Sequence, residues 1–226
     1  MQQMRDGSFV TNAFPTTTPR RVSRLAAVAF AILCAGATMP CVASAAAADD
    51  DSIVLPDMPG NIVVDAPNVP YLLGHGVGTQ NYVCLPTAAG GVAWTLFTPE
   101  ATLFNDDAGQ VTTHFFSISP KSGQIRATWQ HSKDTSTVWA KLVEQSLDAN
   151  FVKTGAVAWV KLQQDGVRPG PTGGNKLTIT TFVQRVNTVG GVAPETGCDQ
   201  ASQIGSKAFV PYTADYIFYK DPTLAR

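Results

Sequence analysis

Short runs of β-branched and aromatic residues, broken by Gly, Pro, Asn and Asp, recur along the chain after residue 70 and mark a succession of strands rather than helices. The clearest is Ile125 to His131, in which Ile, Ala, Trp and His alternate with Arg, Thr and Gln, a period of two. Further strands are predicted over 79–85, 92–98, 101–105, 110–118, 137–144, 157–162 (apolar on both faces around Trp159, hence central) and 214–219. Residues 178–186, rich in Thr, Val and Ile, read as another, which runs into the turn Gly190-Gly191 and then to Cys198. The segments 74–78, 88–91 and 166–174 carry Gly and Pro and read as connections, Pro99 as a stop, and 146–150 as one helical turn. If the strands flanking 132–136 pair symmetrically, Trp129 faces Trp139.

No segment shows an apolar stripe at helical spacing over three turns, and no internal repeat is visible. The expected fold is all-β: a single-domain β-sandwich or partly closed β-barrel of short antiparallel strands, with little helix. A chain of 226 residues suffices for one such core.

The first 70 residues differ. Arg20, Arg21 and Arg24 precede an apolar run over 25–37, and Ala43-Ser44-Ala45 follows, so residues 1–45 read as a secretory signal peptide. The apolar run is shorter than the roughly 20 residues a membrane helix needs, so no transmembrane segment is expected after cleavage. Residues 46–70, with Pro56, Pro59, Pro67 and Pro70, form a Pro-rich extended arm that either drapes over the domain or adds an edge strand through Ile62, Val63 and Val64. The β-rich domain is expected over 71–222, in the periplasm or outside the cell.

Export alters the chemistry. Residues 1–45 carry a net charge of +3, so a whole-chain charge of -1 becomes -4, which argues against nucleic acid as a partner. Of the four cysteines only Cys84 and Cys198 remain. In an oxidising compartment they read as one disulfide, the alternative being two buried thiols.

Several blocks then match in order: GTQNYVC at 78–84, Trp94 with TPEATLFND at 98–106, FVQRVNTVGG at 182–191, Cys198, and VPYTADYIFY at 210–219. Together they resemble the exported family catalogued as domain of unknown function 3455, found in bacteria and fungi. The run 156–161 departs from that pattern, in which Pro before the Trp and a more apolar continuation are expected. The resemblance implies an exported β-rich domain without an agreed activity, so it transfers no catalytic residue. Some relatives carry a malate dehydrogenase label, which the sequence does not support: Gly74, Gly76 and Gly78 superficially suggest a dinucleotide turn, but no βαβ unit surrounds them.

Candidate chemistry is sparse. His75, His114 and His131 are the three imidazoles, and their spacing fits no metal motif, so neither a metal nor a cofactor is expected. His131 shares a strand face with Trp129, and His114 alternates with Phe116 and Ile118, as hydrogen-bonded core histidines do. Glu100, Asp106, Asp107 and Asp134 read as turn residues held by local backbone bonds. No G-x-S-x-G elbow is present. Trp94 and Trp159 are assigned to the core, whereas Trp129 and Trp139, with His114 and His131, are the candidate ligand-facing residues. The favoured reading is a binding or structural module of the cell envelope, its partner a small molecule, a glycan or an envelope component. The alternative is an enzyme whose polar pocket includes His114 or His131.

Overall fold

Each β-type run pairs antiparallel with the next, and the last returns to the first. The computed structural model describes residues 53–224; the expected signal peptide, its cleavage site and the acidic start of the arm lie outside them. The strands are β1 (Val69–Pro86), β2 (Val92–Phe104), β3 (Gln110–Ile118), β4 (Ile125–His131), β5 (Thr137–Ser146), β6 (Trp159–Arg168), β7 (Thr180–Gly190) and β8 (Lys207–Lys220). They form a closed barrel in sequence order. Between a sandwich and a partly closed barrel, full closure is what occurs. β1 and β8 pair from Val69 opposite Lys220 to Val83 opposite Lys207 and so leave no free edge.

Several strands outrun their expected bounds. β2 passes through Pro99, and what read as two strands is one. Its pairing with β3 begins only at Ala101, so Pro99 lies where the strand is paired on the β1 side alone. β6 takes in Gly166 and Arg168 from the expected loop. Residues 146–150 form no helix: Asp148 closes a tight turn, its carbonyl accepting from the N–H of Phe151 and of Val152.

The Gly-rich stretch 74–78 is part of β1, not a flexible lead into it. Gly74, Gly76 and Gly78 lie on the inner face of the barrel, where a Cβ would meet the side chain of Leu103, the ring of Tyr216 and the carbonyl of Glu100 respectively. The last would sit 2.0 Å from backbone, so only glycine lets β1 and β2 approach there.

The β4–β5 register corrects the Trp pairing. Trp129 stands opposite Val138, and Trp139 opposite Thr128. The turn includes Thr135 at φ 57° and closes through the His131 N–H to the Ser136 carbonyl, which places the pair one residue from symmetry. Because side chains alternate, that single residue sends the two indoles to opposite faces. Trp129 enters the barrel and Trp139 leaves it.

The interior cluster contains Leu103, Trp129, Val138, Leu162, Leu177, Val183, Tyr216 and Phe218. A second cluster lies outside the wall, where Trp159, Val186, Ile217 and Tyr219 are covered by Ile62 of the arm. Of the two courses open to the arm, it drapes: Gly60–Ile62 is a 3-10 turn, Ile62 is fully buried, and its carbonyl accepts from Gln184 Nε2. Burying that side chain contributes about 1.5–3 kcal/mol. Trp159, Val160 and Leu162 are all buried, so the first half of this strand is well covered despite its departure from the family pattern.

Cys84 and Cys198 form a disulfide with Cα atoms 5.5 Å apart. It ties the end of β1 to the long β7–β8 connection, which leaves β7 through Gly190 and Gly191, both at positive φ. Trp94, assigned above to the core, is instead half-buried beneath this connection and donates from Nε1 to the Thr196 carbonyl.

Candidate functional site

The two ends of the barrel differ. At the end holding the β6–β7 connection, Leu177 is fully buried as a plug. Its N–H donates to Ser136 Oγ, and the neighbouring Lys176 N–H donates to Asp134 Oδ2. Asp134 Oδ1 also accepts from the N–H and hydroxyl of Ser136. Burial acts to raise the Asp134 pKa, but these bonds outweigh it and hold the carboxyl down to about 2.

Toward the other end the interior opens into a cavity of about 390 Å³, at the lower end of the usual ligand-pocket range. Leu96, Phe116, Ile125 and Leu142 supply apolar wall, while Gln80, His114, Arg185 and Tyr216 supply polar groups. Ile125 is 64% exposed and Leu142 54%, so the rim presents apolar side chains to solvent. A second cleft, of about 410 Å³, lies over the β2–β3 seam among Val77, Glu100, Thr113 and Phe115. It does not reach Trp129, Tyr216 or Arg185, and the interior cavity is therefore the stronger candidate.

Period two explains the polar wall. Val183 packs in the interior, so Arg185, two residues on, also points inward. Its Nε and Nη2 donate to the Ala158 carbonyl at 3.2 and 2.8 Å. Among the described residues it has no carboxylate partner. Nearby, the hydroxyls of Tyr212 and Tyr216 hydrogen-bond to each other at 2.9 Å, and burial raises the pKa of both, so they remain neutral. Gln80 is 1% exposed, and its Nε2 lies near Tyr212 without a partner in hydrogen-bond geometry. Trp129 Nε1 is likewise buried and unpartnered.

His114 stacks on Trp129, ring centroids 4.3 Å apart and planes 6° from parallel. Burial drives its pKa down to about 3, against the bond between Nδ1 and the Thr128 carbonyl at 2.9 Å. With the proton on Nδ1 donated to that carbonyl, the ring is neutral at physiological pH.

Of the four candidate ligand-facing residues, the structure brings His114 and Trp129 together at the cavity. His131 sits at the plugged end, where Nδ1 accepts the Asp134 N–H and lies 3.1 Å from Asp134 Oδ1. Trp139 is on the outer face, donating from Nε1 to Ser117 Oγ at 2.7 Å beneath the Arg168 guanidinium. Sequence reasoning missed Gln80, Arg185, Tyr212 and Tyr216. The signal for Arg185 was its position in a run whose alternate residues are buried.

His75 was weighed from the sequence only as a possible metal ligand. It lies on the outer wall between two carboxylates, with Nδ1 2.7 Å from Asp215 and Nε2 2.8 Å from Asp106. The hydrogen bond to Asp106, then that to Asp215, raises its pKa. No group of three or more His, Cys, Asp or Glu among the described residues is disposed to hold a metal ion.

Fold and site together define a closed, eight-stranded antiparallel barrel with a lumen plugged at one end and accessible from the other. The chain belongs to the family described as protein of unknown function (DUF3455), whose pattern matches residues 66–220, a span running from just before β1 to the end of β8. No curated protein and no solved structure matches the chain.

Proposed function

We propose that the protein is an exported binding module, acting in the periplasm or outside the cell, whose lumen holds a small molecule. The observation that carries this is the one-ended cavity: apolar walls around a few convergent polar groups are the usual composition of a ligand site. Export is supported by the arginines, apolar run and Ala43-Ser44-Ala45 at the start of the chain and by the Cys84–Cys198 disulfide. None of the described helices is long and apolar enough to cross a membrane.

Binding fits better than catalysis. General acid–base work needs a group that titrates near the working pH, and the lumen imidazole, His114, is held to about 3 by burial. His131 turns to Asp134 at the opposite end.

A neutral fluorescent probe such as Nile red tests the reading. The parent should bind it with a rise in emission, and Ala127→Phe, which fills the lumen from the β4 wall, should abolish that rise while near-ultraviolet circular dichroism shows the fold intact. Equal binding by a folded Ala127→Phe protein would place the site elsewhere.

A further inference from the structure

Charge is unevenly placed around the lumen. The chain as a whole is slightly acidic, yet the residues lining the cavity include Arg126, Lys141 and Arg185 and no Asp or Glu. Arg126 is paired with Asp165, Nε to Oδ2 at 3.1 Å, and Lys141 is exposed at the rim. Arg185 differs from both. It points into the barrel, is partly buried, and has only a neutral carbonyl and nearby tyrosines to offset its charge.

A guanidinium is always protonated. Removing it from water without a counter-charge is costly, and buried cations are accordingly found paired. The groups around it deepen the imbalance. Burial keeps Tyr212 and Tyr216 from ionising, and His114 is neutral, so no neighbour supplies the missing negative charge. Gln80 Nε2 and Trp129 Nε1, buried on residues that line the same cavity, are donors without acceptors. Buried donors left unmatched cost about 1–3 kcal/mol each. The two orphan donors need an acceptor and the cation needs a negative charge, and a carboxylate supplies both.

We infer that the lumen takes a small amphipathic anion, with a carboxylate-type head against Arg185 and Gln80 and an apolar body along Leu96, Phe116, Leu142 and Leu162. This rests on the binding-module reading and gives it a ligand class. The apolar wall rules out a fully hydrated ion as the preferred ligand, and the uncompensated guanidinium selects against a purely apolar one.

Octanoate and 1-octanol share an eight-carbon frame and differ in the head, so their titration by calorimetry separates the two ideas. The parent should bind octanoate at least about tenfold more tightly than octanol, the ratio one charge-assisted hydrogen bond supports. Arg185→Gln should bring the two affinities to within about twofold, mainly by weakening octanoate. Gln80→Leu, which keeps the cation, should weaken octanoate while leaving octanol unchanged or improved, and it serves as the test if Arg185→Gln does not fold. Equal binding of both probes by the parent would overturn the anionic head and leave the binding module standing. Binding of neither would remove both.

Discussion

His75 and His114 have the same side chain and opposite electrostatic fates, because one sits between carboxylates at the surface and the other lies inside an aromatic stack. A folded-state pKa raised above the unfolded one means the folded form prefers the imidazolium. For His75 that stabilisation is fully present below the ordinary value near about 6.5. It is lost as pH rises through the raised folded pKa. The thermal midpoint of the parent should therefore decline as pH rises above the ordinary imidazole value, and His75→Gln should flatten that decline; parallel profiles would show that the triad contributes nothing. Asp134 has the reverse sign. Its carboxyl is held near 2, so its contribution is present above the ordinary carboxylate value and lost as pH falls through about 2. Asp134→Ala should cost roughly 1–2 kcal/mol in denaturant unfolding at neutral pH, and the difference should shrink in acid. The local role of Asp134 was legible, since Asp in a turn predicts side-chain to backbone bonds. Its reach to Lys176 was not, because a contact 42 residues distant leaves no mark on local pattern.

At the level of strands, alternation carried most of the information. β3 and β4 fall where the period-two reading puts them, because inner and outer residues of a barrel strand alternate as in any half-buried sheet. The same pattern could not give register: a one-residue offset across the turn that holds Thr135 at positive φ put Trp129 and Trp139 on opposite faces. Nor could it identify the glycines of β1, whose composition resembles a loop until the opposing strand is in place. Gly78→Ala should destabilise by about 1–3 kcal/mol, as overpacking does. Gly60→Ala, whose Cβ would meet nothing within 4 Å, should change stability by no more than about 0.5 kcal/mol. Equal effects would mean that the β1–β2 approach at Gly78 yields easily. The disulfide was legible by elimination, given export. Closing a loop of 114 residues should stabilise by up to about 4.7 kcal/mol on the chain-entropy account. Denatured, unreduced protein should titrate with no free thiol at Cys84 or Cys198, and Cys84→Ser should lower the thermal midpoint. A variant as stable as the parent would reduce these cysteines to small core residues.

Across the whole molecule, closure turns a set of ordinary strands into a container. The sequence contained the inner wall as alternate residues of eight strands, but a lumen exists only when the long β1 and β8 meet, and that is a property of no single segment. The plug at Leu177, anchored by Asp134 and Ser136, makes the container one-ended. The exposed Ile125 and Leu142 then flank its opening. A binding role depends on this shape more than on any one residue. Native mass spectrometry of the disulfide-intact protein, purified from its own host, tests it most directly. The parent should carry a small organic molecule of defined mass, lost on collisional activation and absent from a folded Ala127→Phe variant; a parent that is uniformly empty, or an adduct retained equally by both proteins, would contradict the claim that the lumen is the binding site.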